Sequence, residues 1–193
     1  MGVEYELKFS ATETQQQSIL EAFPGSIQKF SMETTYYDTP DGALAKRHIT
    51  LRRRIENGIS VCTLKTPAPG AARGEWDCLK DTIEEAIPEL CKQSDYQPLL
   101  LLTIHGVQPL CGARFTRQAL LLEQPDFTAE LALDRGILLG GDKQIPLCEV
   151  ELELKTGSEA ALNDFAAAFA QRFCLKTEKK SKFSRARALA KGE

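Results

Sequence analysis

Two short stretches carry alternating acids: Glu4, Glu6 with Lys8, and Glu149, Glu151 with Glu153. Successive side chains of an extended strand point to opposite faces, so each set lies on one face. Alternate carboxylates on a strand can converge on a hard divalent cation such as Mg2+ or Mn2+. The matching bases are Arg52, Arg54 and Lys65. Arginine offers planar, bidentate donors to phosphoryl oxygens, and lysine adds a mobile point charge. A metal lying between the acids and a bound anion would reconcile the two signs. E-x-E spacing also occurs on solvated strands, so the pattern alone is unspecific.

The bases are tied together by a turn. Asn57-Gly58 separates two strand-like runs, residues 49–55 and 59–66. Asn-Gly is a strong hairpin signal because both central positions of a type I′ turn need positive φ. A two-residue turn pairs Glu56 with Ile59, hence Arg54 with Val61, Arg52 with Thr63 and Thr50 with Lys65. Directly opposed residues share a face. Arg52, Arg54 and Lys65 then lie together, on a solvated face, an anion site or an interface. Arg53 and Arg114 have the opposite parity and are expected outside or at the periphery. No G-x-x-x-x-G-K-[ST] or G-x-G-x-x-G is present, so a backbone phosphate nest is not indicated. His48 and His105 have no triad partners. Tyr36, Tyr37 and Trp76 could stack a base, but core packing or a place at the mouth is the simpler reading.

Composition narrows the classes. The chain has 193 residues, enough for one core, and residues 1–193 are read as a single domain. Twenty-four Lys+Arg against 27 Asp+Glu leave a net charge of -3, which argues against a nucleic-acid coat, and no stable nucleic-acid partner is expected. Residues 46–54 nevertheless hold five bases and no acid. The 6 cysteines show no C-x-x-C pair and no zinc spacing, and reduced, mostly buried thiols are expected. Residues 1–9 lack a signal-peptide core, and the apolar run 99–104 is too short to span a bilayer. A cytoplasmic location without membrane contact is expected; monomer and homodimer remain open.

The elements that must position these residues follow from periodicity. Residues 3–9 alternate as a strand, and Ser10 with Glu13 reads as a capping box starting a helix toward Phe23. A short strand covers residues 34–38, ended by the turn residues Thr39-Pro40-Asp41-Gly42. Residues 67–74 read as a loop, and Trp76 starts a short strand. Thr82 with Glu85 caps a helix toward Cys91, and residues 98–104 form a further turn or helix. An antiparallel pair is expected at 112–122 and 127–134, with turns at Arg135-Gly136 and Gly140-Gly141. A long strand at 146–155, an amphipathic helix at 158–173 and a basic segment at 176–187 complete the chain. About eight antiparallel strands with inserted helices suggest an α+β protein dominated by a closed or nearly closed sheet.

Those same residues resemble the ordered blocks of the CYTH superfamily, the triphosphate tunnel metalloenzymes. Glu4-Tyr5-Glu6-Leu7-Lys8 matches its E-x-E-x-K signature. Tyr36-Tyr37-Asp38-Thr39-Pro40, Leu51-Arg52-Arg53-Arg54 and Thr63-Leu64-Lys65 look like the next blocks. Phe115-Thr116-Arg117, Glu130 through Asp134-Arg135-Gly136, Glu149-Val150-Glu151-Leu152-Glu153, and Lys182 with Arg185 look like the later ones. The resemblance implies a closed eight-stranded antiparallel β-barrel with peripheral helices, whose lumen takes a triphosphate. It implies phosphate contacts from Lys8, Arg52, Arg54, Lys65, Arg117 and Lys182, with Arg185 inside or near the mouth. It also implies divalent metal, Mg2+ or Mn2+, among Glu4, Glu6, Glu149 and Glu151, helped by Asp134, Glu130 and Glu153. Glu4, Glu6, Lys8, Arg52, Arg54 and Lys65 are the expected catalytic set. The expected activity is hydrolysis of inorganic triphosphate to pyrophosphate and phosphate. The alternatives are a thiamine triphosphatase, a class IV adenylate cyclase, or a noncatalytic polyphosphate- or nucleotide-binding module.

Overall fold

The computed structural model describes residues 2–3, 5–67 and 73–192. In chain order the elements are β1 (Gly2–Val3), β2 (Glu6–Ser10), α1 (Glu13–Ala22), β3 (Gln28–Asp38), α2 (Ala43–Lys46), β4 (Thr50–Glu56), β5 (Ile59–Pro67) and β6 (Arg73–Leu79). They continue as α3 (Ile83–Ser94), α4 (Pro98–Leu102), β7 (Gln108–Gln124), β8 (Phe127–Gly140), β9 (Lys143–Gly157), α5 (Glu159–Arg172), β10 (Lys176–Thr177) and α6 (Lys182–Lys191). All strands join one antiparallel sheet in the order β1-β6-β5-β4-β3-β7-β8-β9-β2-β10.

This order corrects the expected closed eight-stranded barrel. Among the described residues the sheet has ten strands and two ends. The reason lies in how the N-terminal segment divides its pairing. Gly2 and Val3 lie against β6, whereas Glu6 to Ser10 lie against β9. The second edge of β2 is taken by β10, through Ser10 with Lys176 and Phe9 with Thr177, and the Glu178 amide donates to the Lys8 carbonyl at 2.8 Å. Closure requires every strand to have two paired edges. Among the described residues no ladder joins β2 to β6.

Local signals explain most elements. Asn57 (φ 47°) and Gly58 (φ 89°) form the expected type I′ turn, and β4–β5 has the register read from the sequence. The first helix is capped by Thr12 and Gln15, which bond reciprocally at 3.2 and 2.8 Å, not by Ser10 and Glu13. Ser10 is unavailable because it is still in the β2 ladder. The strand expected at 34–38 begins at Gln28. The turn expected at Arg135-Gly136 is instead continuous strand within β8. Gly136 serves close approach there: a Cβ would lie 2.5 Å from the Phe115 Cα of β7. The expected loop falls mostly outside the described residues; Pro67 ends β5, and β6 begins at Arg73.

The two faces of the sheet are covered differently. One face packs Phe9, Leu131, Leu133, Val150 and Leu152 under Ile19 of α1 and Leu162, Ala166 and Phe169 of α5. Further along, the same face packs Leu51, Cys62 and Leu64 under α3, with Leu99 of α4. The opposite face carries one buried apolar cluster, Met32, Tyr36, Ala113, Phe115, Leu138 and Leu147, where Phe183, Ala186 and Ala190 of α6 sit. No helix among the described residues is long and apolar enough to cross a membrane.

Two outcomes test this packing. A Cβ on Gly140 would meet the backbone of α6, 2.5 Å from the Ala186 carbonyl oxygen. Gly140→Ala should therefore lower stability by about 1–3 kcal/mol, read by urea denaturation. Burial pushes the Cys62 thiol up to about 11 and the Cys111 thiol up to about 12, while Cys174 is exposed. A raised pKa keeps the unreactive thiol form at pH 8. Iodoacetamide should then label Cys174 in the native protein roughly 100-fold faster than Cys62 or Cys111, read by mass spectrometry.

Candidate metal and phosphate site

Register alone assembles the charges. Arg117 pairs with Asp134, Asp134 with Glu149, and Glu149 with Ser10. The next same-face rung is Ala119, Ala132, Glu151 and Lys8, and the one after is Leu121, Glu130, Glu153 and Glu6. Through β3 the same face continues to the rung Tyr36, Arg52, Thr63 and Asp77. Thr34, Arg54 and Val61 form another, and Thr50, Lys65 and Glu75 a third. Opposed residues share a face, so acids and bases distant in sequence occupy one side of one sheet.

The acidic half is deeply buried. Asp134, Glu149 and Glu151 place one ligand oxygen each within 4.8 Å of the others, and all three residues are buried. Three protein cations meet them. Arg117 donates a bidentate fork to Asp134, both bonds 2.7 Å, and reaches Glu151 at 2.5 Å. The Lys182 ammonium lies 2.7 Å from Asp134 Oδ2 and 2.7 Å from Glu151 Oε1, and it also contacts Glu149. Arg185 pairs with Glu149, with Glu178 at 3.7 Å behind it. Phe115 lies beneath two of these cations, its ring centroid 6.0 Å from Arg117 and 5.3 Å from Lys182.

The electrostatics follow from that packing. Burial pushes the Glu149 carboxyl up, Lys182 opposes the shift, and Glu151 adds to it. Burial also works against ionised Glu151, but Lys182 and Arg117 hold its carboxyl well below the usual carboxylate range. Gln16 of α1 steadies the backbone beneath the pair, its amide donating to the Asp134 and Glu149 carbonyls at 3.0 Å each.

The basic half differs. Lys65 and Arg52 share Glu75, at 2.8 and 3.3 Å. Arg54 donates to the Thr34 hydroxyl at 3.2 Å and pairs with Glu56 at 3.3 Å. Burial, then repulsion from Arg52 and also Arg117, lowers the pKa of Arg54. Arg54 thus feels two further guanidinium groups where desolvation strengthens the repulsion. An anion between them would relieve it.

The remaining expected residues are placed as follows. Glu6 pairs with Lys8 at 2.7 Å, Glu130 lies 3.8 Å from Arg117, and Glu153 pairs with Lys155 at 2.7 Å. These three acids stand one or two rungs from the buried trio. Glu4 lies outside the described residues. Arg53 bonds to the Ser60 hydroxyl and Arg114 to exposed Glu33, both on the opposite face. Tyr36 packs at a tilt on Phe183, ring centroids 5.1 Å apart, whereas Tyr37 and Trp76 pack toward α3. Glu75, Asp77 and Gln16 were missed. For Glu75 and Asp77 the usable signal was alternation in Glu75-Trp76-Asp77, opposite Lys65 and Thr63. For Gln16 the sequence offers none.

Comparisons with known proteins identify the family and support the fold. The CYTH domain model matches residues 2–186. The inorganic triphosphatase of Haemophilus influenzae is 32% identical over 142 residues, 72% of this chain and 40% of that protein. The chain therefore spans 40% of the length of that relative. Among solved structures, a Hippeastrum protein described as having a dominant triphosphatase activity superposes with a TM-score of 0.65 at 18% identity, covering 97% of this chain and 96% of that one. A Pyrococcus horikoshii OT3 protein gives 0.65 at 20%, covering 98% and 99%. At such identities these two support the fold alone. Matched across nearly its whole length, the chain belongs to the CYTH domain family.

Proposed function

We propose that this chain hydrolyses inorganic triphosphate with the help of a divalent metal, Mg2+ or Mn2+. The observation that carries this reading is a buried trio of carboxylates, Asp134, Glu149 and Glu151, on the same sheet face as Arg52, Arg54, Lys65 and Arg117. Similarity to an inorganic triphosphatase supports the choice of substrate.

The donor set fits the metal. Three carboxylate oxygens within 4.8 Å are hard ligands at the spacing one divalent ion can gather. Asp134, Glu149 and Glu151 would hold it, with Glu6, Glu130 and Glu153 on nearby rungs and Glu4 a further candidate. Bound there, the ion would neutralise phosphate oxygens and acidify a water. The chain's own residues do the rest. Arg52, Arg54 and Lys65 bind the polyphosphate, and Arg117 and Lys8 extend the cationic surface toward the acids. Lys182 and Arg185 add donors from α6. Such fixed donors stabilise charge spreading over the transferring phosphoryl group without reorganising at the moment of reaction.

Charge balance favours joint binding of metal and substrate. Asp134, Glu149 and Glu151 are matched by Arg117, Lys182 and Arg185. Adding a divalent ion creates a cationic excess that a triphosphate offsets. A pure anion-binding module would gain nothing from three buried acids.

The test is phosphate release from tripolyphosphate, thiamine triphosphate and ATP, with product identification. Tripolyphosphate should give the highest kcat/KM. Chelation should abolish hydrolysis, and Mg2+ or Mn2+ should restore it; full activity in metal-stripped protein would refute the reading. Glu149→Gln should shift the metal-activation curve to higher concentration, since the amide keeps the shape and loses the charge.

A second experiment addresses the basic half. Arg52→Ala or Arg54→Ala should cost about 2–4 kcal/mol of transition-state stabilisation, measured as kcat/KM at matched folded fraction. Arg53→Ala, on the opposite face, should leave kcat/KM within about twofold of the parent. Equal losses at 52 and 53 would contradict the assignment of faces.

A further inference from the structure

Lys182 sits where a divalent ion would have to sit. Its ammonium contacts all three carboxylates of the buried trio, two of them at 2.7 Å. A metal bound to the same three oxygens at roughly 2.0–2.6 Å would overlap that nitrogen. The two cations are therefore alternatives, not neighbours. We propose that Lys182 is a built-in occupant of the metal position, which a divalent ion must displace and which an incoming polyphosphate draws away.

Three features make the exchange feasible. The lysine stem has four flexible carbons, so the ammonium can move while its backbone stays. Helix α6 is held independently, by Phe183 on Tyr36, by buried Ala186, and by the close approach of Gly140. The Phe115 ring, 5.3 Å from the ammonium, supplies a second surface for the displaced charge. The displaced ammonium needs a new anionic partner, and the polyphosphate is one. Metal and triphosphate then bind with positive coupling, each raising the affinity of the other by the same factor.

The inference rests on the metal-dependent reading above, and binding measurements separate the two. Mn2+ binding to the full chain would be followed by the electron paramagnetic resonance signal of the free ion. It would be measured alone and with imidotriphosphate, a triphosphate analogue with nitrogen in the bridges. Lys182→Met should tighten Mn2+ binding at least about tenfold without the analogue, because the competitor is gone. The analogue should tighten Mn2+ binding at least about tenfold in the parent and much less in Lys182→Met. Arg53→Met, which removes a positive charge from the opposite face of the sheet, should change Mn2+ affinity less than about threefold.

Equal Mn2+ affinity in parent and Lys182→Met overturns the proposal, as does an equal gain from Arg53→Met or undetectable Mn2+ binding in both. If Lys182→Met fails to fold, Phe183→Ala loosens α6 without altering charge. It should tighten Mn2+ binding measurably, and unchanged affinity overturns the proposal. Coupled Mn2+ and analogue binding without phosphate release would leave this inference standing and refute hydrolysis. Metal-dependent hydrolysis with no effect of Lys182→Met on Mn2+ affinity would do the reverse.

Discussion

Three carboxylates leave water together only if cations leave with them. An isolated ionised carboxylate in a low-dielectric interior costs several kcal/mol even after relaxation. Asp134, Glu149 and Glu151 meet that constraint with Arg117 from β7 and with Lys182 and Arg185 from α6. Much else follows. Helix α6 must lie on the charged face, so that face needs an apolar seat, which Met32, Tyr36, Phe115, Leu138 and Leu147 provide. Gly140 must lack a side chain so that the helix can approach. On the other side of the strands, Gln16 secures the backbone carbonyls of the two residues whose carboxylates are most buried. Such a cluster is weak support for stability, since apolar replacements of equal volume often do as well.

The basic half obeys the opposite logic. Glu75 pairs with both Lys65 and Arg52, and among the described residues Arg54 pairs with the partly exposed Glu56. Burial, then repulsion from Arg52 and from Arg117, lowers the pKa of Arg54. The acidic half is matched by protein cations, and the basic half gathers Arg52, Arg54 and Lys65. The two are joined at Arg117, which is bonded to the acids and felt by Arg54. That junction is where metal and phosphate would be brought together.

Much of this was legible from the residues. Asn57-Gly58 set the β4–β5 register, and that register put Arg52, Arg54 and Lys65 on one face and Arg53 on the other. Alternation at 149–153 likewise separated acids from Val150 and Leu152. What failed was long-range or cooperative. Ser10 looks like a helix cap until its ladder with Glu149 and Lys176 is known. Arg135-Gly136 looks like a turn until β7 is seen to press against the glycine. A closed or nearly closed sheet was expected from the antiparallel strands and an eight-stranded barrel from the family resemblance, but local sequence does not reveal that β10 occupies the second edge of β2.

The C-terminal segment shows why pairwise sites resist reading from one strand of sequence. A run rich in Lys and Arg reads as a solvated face, because exposed charges are the common case. Spacing within it does carry information: Phe183, Ala186 and Ala190 recur at helical intervals and mark a buried stripe. Lys182 and Arg185 flank that stripe, so docking it drives both cations toward the sheet. Their burial still depends on acids more than thirty residues away, on β8 and β9. Neither Lys182 nor Asp134 is interpretable alone. Unpaired, each would be an implausible buried charge; together they define the position for which a metal ion would compete.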